Sequence, residues 1–325
     1  MAGNLSIQDR ATIRSRMDDL KVSGGSTAIW IGYGYHFTEL SNVPLILQDN
    51  VLYSRQDATL NGLIASEVGD PGILNRTTDS VREYVRFYWR PRTPMLYGIE
   101  GIRAQNRYPY DGRCAIPIYF CVPLDDLFSK PAVRFSDRNA ASPYANFGET
   151  ADFVLGIPFD KVFHDGAFVP SERDEIVARR QAEIQVHHSV SRTPNTVILV
   201  RSPAELSMLR DILPVAIRSV WDHRIRVATR SPVFFKRWLF VDHVERQKDT
   251  VHLFWNPQAR LSEVGPVAFT VTFENLNTGY RVDVPQEPIT WDGTFMHRYD
   301  GLKSYPWRMT IRIDNTVAYV GTLYA

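Results

Sequence analysis

The chain has 325 residues, of which 44% are hydrophobic and 22% charged; it can bury a real core, and the composition excludes an intrinsically disordered protein. At about 100–200 residues per domain the length predicts two domains. With 37 basic and 36 acidic side chains the formal charge is +1, which excludes binding of nucleic acid by bulk charge and confines any such site to a local patch.

In chain order, Ile7 to Leu20 reads as a polar helix that ends at the flexible joint Ser23-Gly24-Gly25-Ser26. Ala28 to Phe37 is aromatic and β-branched and predicts a strand, followed by a helix over Asn42 to Gln48 capped by Ser41. Glu83 to Tyr97 predicts a strand that breaks into a turn at Pro91 and Pro94. Ile116 to Val122 predicts another, kept from a central position by Pro117. Phe135 to Pro170 has no sustained period and reads as long surface loops. Glu172 to Arg180 is a helix or turn, while Ala182 to His188 and Val197 to Val200 are strands. Ser202 with Glu205 marks a capped helix over Pro203 to Ile217. From about Trp221 the texture becomes short β-type runs separated by turns such as Asn277-Thr278-Gly279 and Asp292-Gly293, the pattern of a small antiparallel sandwich.

Cys114 and Cys121 are the only cysteines, too few for a disulfide scaffold or a four-cysteine zinc site. No run approaches about 18 consecutive apolar residues, and Met1 to Asp19 carries arginines rather than an apolar leader. The expectation is a soluble protein of the reducing cytoplasm with no membrane partner. Gly32-Tyr33-Gly34 is not followed by a third glycine and no phosphate-binding Gly-Lys-Ser/Thr occurs, so Rossmann and P-loop chemistry are not predicted. His187 and His188 are expected on opposite faces of a strand, and no metal is expected.

Arg82, Tyr84, Arg86, Tyr88 and Arg90 alternate, so on a strand they share one face. That face suits gripping phosphates while stacking an unpaired base, and equally suits a solvated arginine surface. Arg92, Arg134 and Arg138 extend the basic set.

Four segments carry a resemblance: Tyr35-His36-Phe37-Thr38 with Asn42; Gly69-Asp70-Pro71 leading to Arg76; Phe87 through Tyr97; and Arg180-Gln181-Ala182-Glu183. Over about residues 31–190 the chain resembles the DarT family of NAD-dependent ADP-ribosyltransferases, toxins that modify nucleic-acid bases. The resemblance implies an α+β ADP-ribosyltransferase-like domain with a central mixed sheet, assigned to residues 1–220; the all-β sandwich-like accessory domain at 221–325 is read from its strand and turn pattern and lies outside the family core. The resemblance also implies NAD as co-substrate and Glu183 as the catalytic glutamate beside the oxocarbenium-like centre that forms when the nicotinamide–ribose bond breaks. The alternative reading of Glu183 is a charged residue on the exposed face of a strand. Arg76 matches the essential arginine, whose forked guanidinium suits a pyrophosphate. His36, Thr38 and Asn42 match the NAD-contacting segment, and Tyr88 and Tyr97 are candidates to stack on nicotinamide or a base. By pattern alone His36 and these aromatics are as readily core residues.

Arg86, Arg90, Arg92, Arg138 and Asn139 are assigned to the nucleic acid. Asn139, within Phe135-Ser136-Asp137-Arg138-Asn139-Ala140, stands where relatives place a histidine in the substrate-facing part. The expected acceptor is a base of single-stranded DNA or RNA, since its reacting edge must be unstacked. The expected setting is a toxin–antitoxin or phage-defence system with a cognate antitoxin. The alternatives are transfer to messenger RNA or to a protein, and a non-catalytic single-strand-binding protein.

Overall fold

The computed structural model describes residues 5–69, 77–109, 112–191, 193–229, 232–288, 296–302 and 306–324. The chain forms two compact units: Met1–Tyr97 with Tyr119–Ile198, and Gly98–Ile118 with Leu199–Ala325. It passes from one to the other three times, where the sequence is read with a single boundary at 220/221.

The first unit opens with the helix Ile7–Ser23, started by a reciprocal cap in which Ser6 Oγ accepts from the Asp9 N–H and the Asp9 carboxylate accepts from the Ser6 N–H. Ile13 and Met17, one turn apart, supply its buried stripe. The strand expected from Ala28 begins later: Gly25–Trp30 is a 3-10 turn, Gly32 at φ +117° redirects the chain, and β1 runs Tyr33–Glu39. Gly34 serves packing, because a Cβ there would collide with Leu127 and crowd Phe87.

The further strands as far as Val200 are β2 (Val51–Tyr53), β3 (Tyr84–Tyr88), β4 (Pro117–Pro123), β5 (Val133–Ser136), β6 (Phe147–Gly148), β7 (Glu183–His187), β8 (Ser189–Ser191) and β9 (Val197–Val200). Seven of the strands β1 to β9 follow in the order β9-β4-β1-β3-β7-β5-β6 in an eight-stranded mixed sheet whose remaining strand, β10 (Ile225–Val227), pairs with β9; β2 and β8 pair separately. β4 has a neighbour on each side and is buried almost throughout, against the edge placement expected from Pro117. Proline is tolerated there because it is the first residue of the strand, where no ladder donor is needed. The stretch read as loops over Phe135 to Pro170 contains β6 and the one-turn helices Ala151–Leu155 and Phe159–Val162. Such elements are too short to show a period, but Thr150 caps the first and Val154, Phe159 and Val162 bury their apolar sides.

In the second unit the Ser202 cap is present, its hydroxyl accepting from the Glu205 N–H, but Pro214 divides the expected helix into Pro203–Ile212 and Val215–Trp221. β10 (Ile225–Val227) precedes two antiparallel sheets. One is β11-β12-β15, built from Val241–Gln247, Thr250–Trp255 and Met296–Tyr299. The other is β14-β13-β16-β17, built from Arg281–Pro288, Ala268–Asn275, Trp307–Ile313 and Thr316–Leu323. Phe269 meets Trp255 and His297, and Phe273 meets Tyr299, so inward residues of both sheets make one core as expected of a sandwich. The turn at Asn277-Thr278-Gly279 joins β13 to β14, with Asn275 Oδ1 accepting two backbone N–H groups. Asp292-Gly293 lies outside the described residues. Among the described residues no helix is long and apolar enough to cross a membrane.

Candidate active site

Alternation along β3, β7 and β5 sorts their side chains by chemistry. Val85, Phe87, Ile184, Val186, Val133 and Phe135 fall on one face and are at most 1% exposed. The register places Tyr88 opposite Glu183 and Glu183 opposite Ser136, then Arg86 opposite Gln185 and Gln185 opposite Arg134. Opposed residues share a face, so the other side of the sheet carries a polar grid with Glu183 at its centre.

Glu183 is fully buried. Its carboxylate accepts from Arg86 Nε at 2.7 Å and Nη2 at 2.5 Å, from Gln185 Nε2 at 2.8 Å and from the Ala140 N–H at 3.2 Å. This is the forked geometry in which a guanidinium matches a carboxylate best. Burial opposes the charge on Arg86, but the adjacent Glu183 charge and their hydrogen bonds outweigh it and hold the guanidinium above its ordinary value. Arg86 Nη2 also donates to Asn139 Oδ1 at 3.0 Å, and Asn139 Nδ2 donates to Gln181 Oε1 at 3.1 Å. Gln185 Oε1 accepts from Arg134 Nε at 2.6 Å.

Arg86 borders a cleft of about 190 Å³ lined also by His36, Thr38, Asn42, Tyr53 and Tyr84. Glu183 is not a lining residue; it is reached through Arg86. The cleft opens where β1 and β3 part, since they share one register pair, Tyr35↔Tyr88. His36 Nδ1 then bonds to the Arg86 carbonyl at 3.0 Å. A carbonyl only accepts, so Nδ1 carries the proton and the neutral ring keeps Nε2 as an acceptor. Burial, with the Arg86 charge adding to it, pulls His36 below its ordinary value despite that bond.

Asn42 stands at the start of the helix Val43–Asp49, but its side chain does not cap it and neither does Ser41. Its Oδ1 accepts from the N–H groups of Ala65 and Ser66 at 2.8 and 2.9 Å, and its Nδ2 donates to the Ser66 carbonyl and Thr38 Oγ1. One buried amide thereby fixes the far wall of the cleft.

Other expected residues sit elsewhere. Tyr88 is buried beside Glu183, stacked on Phe37 and bonded to Met95 Sδ at 3.6 Å; burial pushes its hydroxyl up to about 12. Tyr97, on the helix Pro94–Ile99, does not line the cleft. Arg82 ends the helix Asp79–Arg82, and Arg90 lies past the end of β3, so Tyr84, Arg86 and Tyr88 alone keep the expected common face. Arg90 is 1% exposed and turned inward, donating to the carbonyls of Val162 and His164 at 3.0 and 2.5 Å, with its charge 4.7 Å from the Trp30 ring centroid. Burial pulls its guanidinium down to about 9. Arg92, at φ +53°, pairs with Asp165, and Arg138 with Asp137. Arg76 lies outside the described residues, as do Asp70 and Pro71. His187 and His188 do not project to opposite faces: β7 ends at His187, His188 takes φ +60°, and the two rings meet at 3.8 Å. Sequence reading passed over Gln185, although a step of two from Glu183 places it on the same face.

Residues 35–235 match the model of the family described as ssDNA thymidine ADP-ribosyltransferase, DarT. The chain belongs to the DarT family. It is therefore an ADP-ribosyltransferase, the class that takes its transferred group from NAD. No curated protein matches the sequence. Among solved structures, Thermus sp. 2.9 DarT in complex with ADP-ribosylated ssDNA aligns over 63% of this chain and 96% of its own at 19% identity and a TM-score of 0.49. The same Thermus protein in complex with NAD+ aligns over 63% and 98% at 17% identity and a TM-score of 0.45. Thermosipho africanus DarTG in complex with ADP-ribose aligns over 66% and 53% at 18% identity and a TM-score of 0.47. The family assignment rests on the sequence match alone.

Proposed function

We propose that this enzyme transfers ADP-ribose from NAD to a thymine base of single-stranded DNA, with Glu183 as the catalytic carboxylate. The observation that carries the reading is Glu183 itself: a fully buried carboxylate held by four N–H donors on the polar face of the sheet, one side chain from the cleft. The bond between nicotinamide nitrogen and ribose carbon breaks with its electron pair leaving on nicotinamide. The oxocarbenium-like carbon is stabilised by the carboxylate and captured by the base, whose proton passes to the Glu183 carboxylate.

His36 Nε2 accepts from a ribose hydroxyl, while Thr38 and Asn42 keep that wall in place. Arg86 neutralises Glu183 in the resting chain, and the pyrophosphate of NAD is the anion able to compete for its guanidinium on entering the cleft. Arg76 is proposed, on sequence grounds, as a second pyrophosphate ligand. Asn139, through Arg86 and Gln181, is proposed to face the acceptor base. We read residues 1–220 as the catalytic domain and 221–325 as an accessory one, in the toxin of a toxin–antitoxin or phage-defence system with a cognate antitoxin.

The test is incubation of the full chain with NAD and single-stranded oligonucleotides followed by mass spectrometry. Thymidine-containing DNA gains one ADP-ribose, and Glu183→Gln lowers the rate by roughly 100-fold or more. Labelling of RNA in preference to DNA of the same sequence refutes the acceptor; full activity of Glu183→Gln refutes the catalytic assignment.

A further inference from the structure

Beside the cleft, five side chains of the first unit form a continuous stack of rings and charge. The Arg134 guanidinium carbon lies 3.6 Å from the Tyr84 ring centroid and 4.8 Å from that of Phe147. The His187 ring lies 5.0 Å beyond Tyr84, and the His188 ring 3.8 Å beyond His187. Each rung is held from a different element. Arg134 donates through Nε to Gln185 and through Nη2 to the Ser80 carbonyl at 2.7 Å. His187 Nε2 stands 3.6 Å from Glu83 and His188 Nδ1 3.2 Å from Asp57.

Three properties set this stack apart from core packing. Its two ends face solvent, Phe147 at 42% exposed and the His188 side chain at 58%. The hydrogen-bond acceptors on Arg134 are neutral, a side-chain amide oxygen and a backbone carbonyl, while Glu183, Glu149 and Glu83 act on its charge from farther away. Tyr84 is at once a rung of the stack and a wall of the cleft, and Gln185 links Arg134 to the Glu183 carboxylate.

We infer that the Phe147–Arg134–Tyr84–His187–His188 stack is a docking track for the nucleotides that flank the modified base in a single strand. A flanking base lies on the exposed face of Phe147 and its phosphate is gripped by Arg134. Alternating π-faces and a planar cation are what a strand of unpaired bases on a polyanionic backbone recognises, with little demand on sequence. The inference rests on the reading of this chain as an enzyme of single-stranded DNA.

The experiment uses the full chain and a fluorescent oligonucleotide with one thymidine, in which each flanking position is replaced in turn by an abasic residue. Affinity is read by anisotropy without NAD, and transfer by mass spectrometry with NAD. In the wild type, one flanking abasic site weakens binding by about tenfold or more. Phe147→Ala weakens the intact oligonucleotide by a similar factor and makes the same abasic site cost less than about twofold further, whereas Phe147→Tyr restores both effects. Losses that multiply, or a flat abasic scan with Phe147→Ala binding as tightly as the wild type, overturn the track. Transfer without this coupling removes the track and leaves the function standing; coupling without transfer does the reverse.

Discussion

Removing Arg86 tests whether the pair at the centre of the polar grid is a buried ion pair or a surface one. Glu183 is wholly inaccessible and the Arg86 side chain 27% exposed, so the two ends of the pair are unequal. Arg86→Met strands a buried carboxylate on Gln185 and one backbone N–H, at an expected loss of about 3–5 kcal/mol. Glu183→Gln instead leaves a guanidinium that the cleft can hydrate, and costs about 1–2 kcal/mol. The double variant has no buried charge to strand. It is expected to be more stable than Arg86→Met alone, with a coupling of at least about 2 kcal/mol. Urea unfolding of the four proteins, at constant m-value, gives the cycle directly. A loss below about 1 kcal/mol for Arg86→Met, the range of exposed pairs, or strict additivity, refutes the argument.

His36 is pulled below its ordinary value of 6.5, so unfolding takes up a proton at this site. Its contribution to stability is complete above that value and declines as pH falls toward the lower folded-state value; His36→Gln flattens that part of the stability–pH curve, and an NMR titration of the ring locates the folded value. Asn42→Ala unties the N–H groups of Ala65 and Ser66 at about 1–3 kcal/mol, so hydrogen exchange at those two amides speeds up and KM for NAD rises; unchanged exchange refutes the clamp.

Much of the site was legible before the fold. The His36–Thr38–Asn42 cluster follows from the resemblance to the DarT family, whereas the strand over Ala182 to His188 and the Ser202 cap follow from patterns a few residues long. Backbone geometry enforces those locally, because side chains alternate every two residues on a strand and a cap needs its oxygen within reach of the next turn. The later β runs were legible for the same reason, each apolar residue being forced toward one face of a two-sided sheet.

Which arginine does what was not legible. Arg86 and Arg90 sit four residues apart in the same aromatic block, and nothing within it distinguishes them. Only the register of β3 on β7 sets Arg86 against a carboxylate 97 residues away, and only the end of the strand turns Arg90 inward onto the carbonyls of Val162 and His164. His188 likewise joins His187 because its backbone leaves the strand conformation at that residue. Periodicity is a property of the chain and can be read along it. The partner of a charge depends on which buried acceptors folding brings within about 3 Å, and that is decided by contacts between segments distant in sequence.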